Sequence, residues 1–360
     1  MRVALNLARR GYGKTSPNPM VGALLVKSGR IIGQGWHHQA GKPHAEIEAL
    51  RDAERRGHSV QGATLYVTLE PCSTHGRTPP CTDAIIAAGI SKVFIGAKDP
   101  NPNHEGRGLK LLASHRIKVA CGILGNEATS LNEPFNHWIV KQTPFVTVKA
   151  AMTLDGKIAT VSGESKWITN TLSRRIGMKL RQGHDAVLVG VNTVLADNPQ
   201  LTVRSSTRIA KCPLRIILDS RARTPLHARV LSDQFADRTI VVVAKHAPPA
   251  RVRNLMQQVQ VWEAPERNGF IDLKWLLQRL GNQQITSLLV EGGGEVNASF
   301  LLQRLAQRVA FFYAPIVLGG ARSIKAVAGK GLGRGDDILQ LEEVNYQRLG
   351  QDLLMTARLV

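Results

Sequence analysis

The chain has 360 residues, 43% of them hydrophobic, and a formal net charge of +20. That length suits two cores of ordinary size, and no run approaches the roughly 18 apolar residues of a membrane-spanning helix. The charge excess is diffuse, with 18 basic and 10 acidic residues up to position 144 and 29 and 17 beyond it. Anionic small substrates fit this pattern, whereas a nucleic-acid groove calls for a focused basic stripe and stacking aromatics.

The first residues, MRVALNLARRGYGK, have no long apolar core and no small-residue cleavage site. They read as a helix rather than a signal peptide, so a cytoplasmic protein is expected. The triplet Gly13-Lys14-Thr15 looks like the end of a phosphate loop, but position 8 is Ala8 where that loop needs Gly. From about residue 20 the chain alternates short apolar runs with helical stretches. MVGALLV (20–26) and GRIIGQGW (29–36) read as paired strands, and HAEIEALRDAERRG (44–57) as a helix ended by Gly57. ATLYVTLEP (63–71) is a strand, CTDAIIAAG (81–89) a helix and KVFIGAKDP (92–100) a strand. GRGLKLLASHR (106–116) is a helix and IKVACGIL (117–124) a last strand. This is an α/β pattern of crossover units.

NHWIVKQT ends the first unit, and Pro144 marks a boundary near residues 141–146. The spacing predicts domains over 1–142 and 143–360. In the second, DAVLVG, LRIILD, TIVVVA and SLLVEGG read as strands, with helical stretches between them. Four cysteines are too few for a disulfide framework. Cys121 and Cys212, in apolar surroundings, are expected to be small buried residues. Cys72 and Cys81, a close pair in a reducing compartment, point to metal.

The strongest chemical signal is His44-Ala45-Glu46 followed by Pro71-Cys72 and Cys81. One imidazole and two thiolates can hold zinc with one position left open to water, whose pKa the ion lowers. Glu46 stands too close to His44 to serve as a second ligand and is suited to carry protons, as in zinc deaminases. Eight residues separate the cysteines, where the common deaminase signature has two. A closed structural zinc with His75 as fourth ligand, or a buried histidine beside unrelated thiols, is the alternative. His37, His38 and His104 have no metal spacing and read as surface or satisfied core positions.

SPNPMVGALLV, HAEIEAL, VTLEPCSTHGRTPPC and GAKDPNP resemble the deaminase domain of the bifunctional deaminase–reductase family of riboflavin biosynthesis. The long segment between the cysteines is typical of that family. The resemblance implies that His44, Cys72 and Cys81 hold Zn2+, that Glu46 is the catalytic proton shuttle, and that Asn18 binds substrate. Family members usually begin several residues before the first helix, which suggests a shortened start here.

The second half has no G-x-G-x-x-G after a strand. Instead a strand runs through Glu291 into Gly292, Gly293 and Gly294 and then a helix. That arrangement reads either as a tight turn or as a phosphate cradle. KAAMTLDGKIA, SGESKWIT, LRQGHDAVLVGVNTVLADNPQLTVR, RIILDS and LVEGGGEVNASFL resemble the same family's reductase domain. An α/β chain is then implied, with an N-terminal cytidine-deaminase-like α/β/α domain and a C-terminal dihydrofolate-reductase-like α/β domain that binds NADPH without a Rossmann fingerprint. By the resemblance, Ala151, Trp167, Thr193, Asp197, Ser220 and Gly293, Gly294, Glu295, Val296, Asn297, Ala298 and Ser299 contact NADPH. Ser165, Arg181, Leu201, Arg204 and Glu291 hold the substrate, the two arginines on its ribose phosphate. Asp155 reads as a turn former before Gly156 rather than a catalyst. The implied partner is a phosphorylated pyrimidine, with no nucleic acid and no membrane, acted on by a homo-oligomer, dimer or tetramer.

Overall fold

A computed structural model describes all residues except 76–78, 103, 166–167, 205–208, 334 and 336–337. The side chains of 209–211 are also outside the description. The chain divides into two compact units, Met1–Gln142 and Thr143–Val360.

The first unit opens with helix α1 (Arg2–Ala8) and a hairpin of β1 (Gly22–Lys27) and β2 (Arg30–Trp36). Then follow α2 (Ala45–Arg55), β3 (Thr64–Leu69), α3 (Cys81–Ala87), β4 (Lys92–Ala97), α4 (Arg107–Ser114) and β5 (Lys118–Cys121). The sheet order is β2-β1-β3-β4-β5. Strands β3, β4 and β5 are parallel, while β1 is antiparallel to both its neighbours. The start of β1 and the ends of β2, β3 and β4 therefore share one edge of the sheet, and the chemistry collects there.

Helix α2 reaches that edge because it packs unusually close. Ala45, Ala49 and Ala53, one turn apart, are fully buried. They face Gly33 and Gly35, where an added Cβ would lie 2.4 Å from the Ala49 carbonyl oxygen and 2.5 Å from that of Ala45. Only glycine permits this approach, and it fixes the helix that carries His44 and Glu46. Gly57, with φ +71°, follows the end of α2 as expected.

Two helices close the unit, α5 (Gly125–Leu131) and α6 (Glu133–Lys141). The sequence reading had only an unassigned end there. Cys121 is exposed rather than buried, because β5 is the edge strand and its last residue turns outward. Cys212 is buried as expected.

The second unit is built on β6 (Phe145–Thr153), α7 (Thr171–Gly183), β7 (Ala186–Gly190), α8 (Val191–Asp197), β8 (Leu214–Leu218) and β9 (Thr239–Ala244). It continues through α9 (Pro249–Met256), β10 (Gln260–Ala264), α10 (Leu273–Asn282), β11 (Ser287–Val290) and α11 (Gly294–Leu302). It ends with β12 (Arg308–Ala314), β13 (Leu341–Leu349) and β14 (Asp352–Leu359). The sheet order is β10-β9-β8-β7-β11-β6-β12-β14-β13, parallel from β10 to β12 and antiparallel thereafter. The central strands are Val/Ile/Leu runs buried on both faces, as parallel strands between helical layers must be. The chain builds outward from β7 to β10 and then returns to insert β11 between β7 and β6. That reversal makes a topological switch point between β7 and β11, and it is at the carboxyl ends of such strands that open α/β sheets bind ligands.

Candidate active sites

His44 is the N-cap of α2, Cys72 follows β3, and Cys81 is the first residue of α3. These three residues, far apart in sequence, have ligand atoms within 4.8 Å of one another. His44 Nδ1 stands 3.3 Å from Cys81 Sγ and 3.5 Å from Cys72 Sγ. A tetrahedron with Zn–N near 2.0–2.1 Å and Zn–S near 2.3 Å has edges of about 3.6–3.8 Å, so the donors are spaced to share one ion. Hydrogen bonds from Cys81 and then His44 hold the Cys72 thiol well below its ordinary value. Among the described residues, His75 is exposed and stands outside this group, which disfavours the closed four-ligand zinc.

Glu46 lies in the first turn of α2 and is 3% exposed. Burial pushes its carboxyl up to about 7, reinforced by the charge of Cys72. A carboxyl poised there can both take and return a proton near neutral pH.

Asn18 is tied to the group through a residue that sequence reasoning had passed over. His37 is 3% exposed, and burial lowers its pKa. Its Nδ1 donates to the Pro43 carbonyl at 3.1 Å, which leaves Nε2 to accept from Asn18 Nδ2 at 3.1 Å. This contact fixes the orientation of the Asn18 amide. The His37 ring meets His44 edge-on, with centroids 5.3 Å apart. Nothing in the spacing of Asn18 and His37 announced this contact, which exists only because β1 and β2 pair.

In the second unit the expected cofactor residues fall on one edge. Ala151 is near the end of β6, Thr193 and Asp197 lie on α8 after β7, Ser220 follows β8, and Gly293 follows β11. An added Cβ on Gly293 would sit 3.9 Å from Thr193 Oγ1, so these two turns adjoin. Trp167 lies outside the described residues. Ser165 Oγ is 3.4 Å from Asp197 Oδ1.

The structure adds surroundings to the other expected residues. Of the stretch 293–299, Asn297 is fully buried and donates to the Ala326 carbonyl, and Ala298 is buried. The Ser299 hydroxyl returns to the Glu295 carbonyl. Gly293, Glu295 and Ser299 are more open than Asn297 and Ala298, as the period of a helix turns alternate faces toward the core. Arg181, implied as a grip on the substrate phosphate, lies in an ion pair. It is 9% exposed and directs Nε and Nη2 to Glu291 at 2.9 and 3.0 Å and Nη1 to the Thr202 carbonyl at 2.8 Å. A guanidinium at that depth requires a counter-ion, and Glu291, expected on the substrate, supplies it. Arg204 is exposed, while Leu201 is buried in a left-handed conformation with φ +55°. Asp155 does more than form a turn: its carboxylate accepts from Leu318 and Gly319 backbone N–H groups.

Residues 1–97 match the family model of the cytidine and deoxycytidylate deaminase zinc-binding region, and residues 144–355 match the RibD C-terminal domain. The riboflavin biosynthesis protein RibD of Aquifex aeolicus is 43% identical over 99% of this chain and 96% of its own. The chain belongs to the RibD family. The RibD protein of Escherichia coli is 40% identical over 99% of this chain and 97% of its own. The solved structure of Acinetobacter baumannii RibD matches with a TM-score of 0.87 at 36% identity, covering 100% of this chain and 97% of that one. A Thermotoga maritima structure described as a diaminohydroxyphosphoribosylaminopyrimidine deaminase and 5-amino-6-(5-phosphoribosylamino)uracil reductase matches with a TM-score of 0.84 at 37% identity, covering 100% of this chain and 97% of that one. A RibD chain with both domains is a bifunctional enzyme of riboflavin biosynthesis, combining a zinc-dependent deaminase with an NADPH-dependent reductase. Among the described residues, no helix is long and apolar enough to cross a membrane.

Proposed function

We propose that residues 1–142 remove the 2-amino group of 2,5-diamino-6-(5-phosphoribosylamino)pyrimidin-4-one as ammonia, and that residues 143–360 then reduce the ribosyl group of the product to ribityl. The observation that carries this reading is the meeting of His44, Cys72 and Cys81 with Glu46 buried beside them. Bound zinc supplies a water that loses its proton near neutrality. Glu46 would take that proton and pass it to the ring nitrogen as the oxygen adds to carbon, then take the remaining hydroxyl proton and pass it to the amino group, which leaves as ammonia as the C–N bond breaks and the C=O forms. Asn18, its amide fixed by His37, offers its oxygen to a substrate N–H.

In the reductase, NADPH supplies the hydride to the sugar C1. The first turn of α11 offers backbone N–H groups to a cofactor phosphate. Thr193 flanks it. Arg181 acts at one remove, holding Glu291 and the Thr202 carbonyl so that Leu201 and Arg204 keep their place. Homo-oligomerisation, as a dimer or tetramer, is supported by the edge strand β13, which leaves Val344 and Tyr346 exposed. Cytoplasmic action is supported by four free cysteines.

The test is a split assay on purified zinc-loaded protein. Ammonia released from the diaminopyrimidine is measured without NADPH, and NADPH oxidation is followed on its addition. Ammonia before NADPH, and NADPH oxidation only after deamination, is the expected order. No ammonia from zinc-loaded protein would overturn the substrate assignment.

The phosphate cradle has its own check. A Cβ on Gly294 would lie 2.2 Å from the Lys325 carbonyl oxygen, whereas Gly293 has room for one. Gly294→Ala is expected to destabilise the second unit by about 1–3 kcal/mol and to weaken NADPH binding, read by fluorescence titration. Gly293→Ala should leave stability near wild type, and equal effects of the two would contradict this geometry.

A further inference from the structure

Glu70 immediately precedes Pro71 and Cys72, and its side chain is 5% exposed. Its carboxylate faces backbone. Oε2 accepts from the N–H of Asp99 at 3.2 Å and of Gly106 at 3.1 Å, and Oε1 accepts from Gly108 at 3.0 Å. These donors bracket a stretch, described at Asp99–Pro102 and His104–Gly108, that leaves the carboxyl end of β4 and leads into α4. Because β3 and β4 are parallel neighbours, the segment emerges beside Cys72. Two further contacts press it there. His104 Nδ1 and Thr74 Oγ1 are 3.2 Å apart. An added Cβ on Gly108 would lie 2.3 Å from the Pro71 carbonyl oxygen. Asn18 and His37 flank the metal group on the β1–β2 side, and this segment flanks it on the β4 side.

We infer that Glu70 is a positioning residue for the deaminase, holding Asp99–Pro102 and His104–Gly108 as one wall of the pyrimidine cleft. The inference rests on the deaminase reading above. A buried carboxylate with three backbone donors has a geometry that an amide cannot reproduce. Glutamine at this position keeps one acceptor oxygen and turns its NH2 against at least one N–H. The segment then spends part of its time away from the cleft. Substrate binds only the fraction in place, so the apparent affinity falls by that fraction while the chemistry of bound substrate continues.

The experiment compares wild-type and Glu70→Gln full-length protein, both zinc-loaded. The expected result is a KM for the diaminopyrimidine raised about tenfold with kcat within about twofold. Zinc per chain and NADPH oxidation with pre-deaminated product should be unchanged, and trypsin should cut the native protein faster after Lys98 and Arg107. Gly108→Ala, which pushes the same segment from Pro71, should raise KM in the same way if Glu70→Gln proves insoluble. Unchanged KM and unchanged cleavage would overturn the proposal, as would loss of zinc, which would make Glu70 a support for Cys72 instead. A wild-type protein that releases no ammonia overturns the deaminase reading and the proposal together, and the wild-type control tells that case apart.

Discussion

Glu46→Gln is expected to slow ammonia release by about 10²–10⁴-fold, the range for removing a positioned proton carrier, while NADPH oxidation with pre-deaminated product proceeds at the wild-type rate. Deamination adds water to carbon and expels ammonia, so a proton must move from the attacking oxygen to nitrogen twice. Glu46 is 3% exposed, on the first turn of the helix whose N-cap is His44, so bulk water is a poor substitute carrier. The amide of glutamine fills the same volume and cannot take the proton. Zinc per chain, measured by metal analysis, should stay at the wild-type value, because the ligand atoms belong to His44, Cys72 and Cys81. If the variant keeps its zinc and still releases ammonia at more than about a tenth of the wild-type rate, another group carries the proton.

The His44, Cys72 and Cys81 cluster was legible in the sequence because its chemistry is written in local signals. His44 and Cys81 open helices, Cys72 follows a strand, and each sits at a punctuation point that short-range pattern reveals. Glu46 followed from its two-residue offset. The residues that orient this group were not legible. His37 meets Asn18 only through the β1–β2 pairing, and Glu70 reads as part of a strand end until the Asp99 and Gly108 amides are seen around it. Helices α5 and α6 escaped because Gly125 and the mixed residues of GNEATSL give no clear apolar stripe. In the second unit, alternation exposed the parallel strands, but strand order depends on a chain reversal that periodicity does not encode. Arg181 and Glu291 are 110 residues apart. Each was assigned to substrate by the family resemblance, and a lone charge in a sequence carries no mark of the partner that stands beside it.

That pair supports the second large expected effect. Arg181→Met should destabilise the second unit by about 3–5 kcal/mol, the range for leaving one member of a buried pair unpaired, and should abolish NADPH oxidation at assay temperature while ammonia release survives. Burial alone would raise the Glu291 carboxyl, but Arg181, with Lys149, overrides it and holds the group at about 2 against an ordinary 4.5. A depressed carboxyl contributes stability that is fully present above 4.5 and is lost as pH falls toward 2. Wild-type protein should therefore lose stability through that window. Lys149 stands 3.6 Å from Glu291, a single point charge that cannot replace a two-pronged guanidinium. In Arg181→Met, burial then governs Glu291, its pKa rises, and acidification relieves the strain instead of creating it. The melting temperature of the variant should rise or hold as pH is lowered from 7 to 5, while that of wild type does not rise. The double variant Arg181→Met/Glu291→Gln removes the stranded charge and should be more stable than Arg181→Met alone. Destabilisation of the double variant equal to the sum of the two single changes would show that the ion pair carries no coupling, and that Arg181 serves the fold only through its contact with the Thr202 carbonyl.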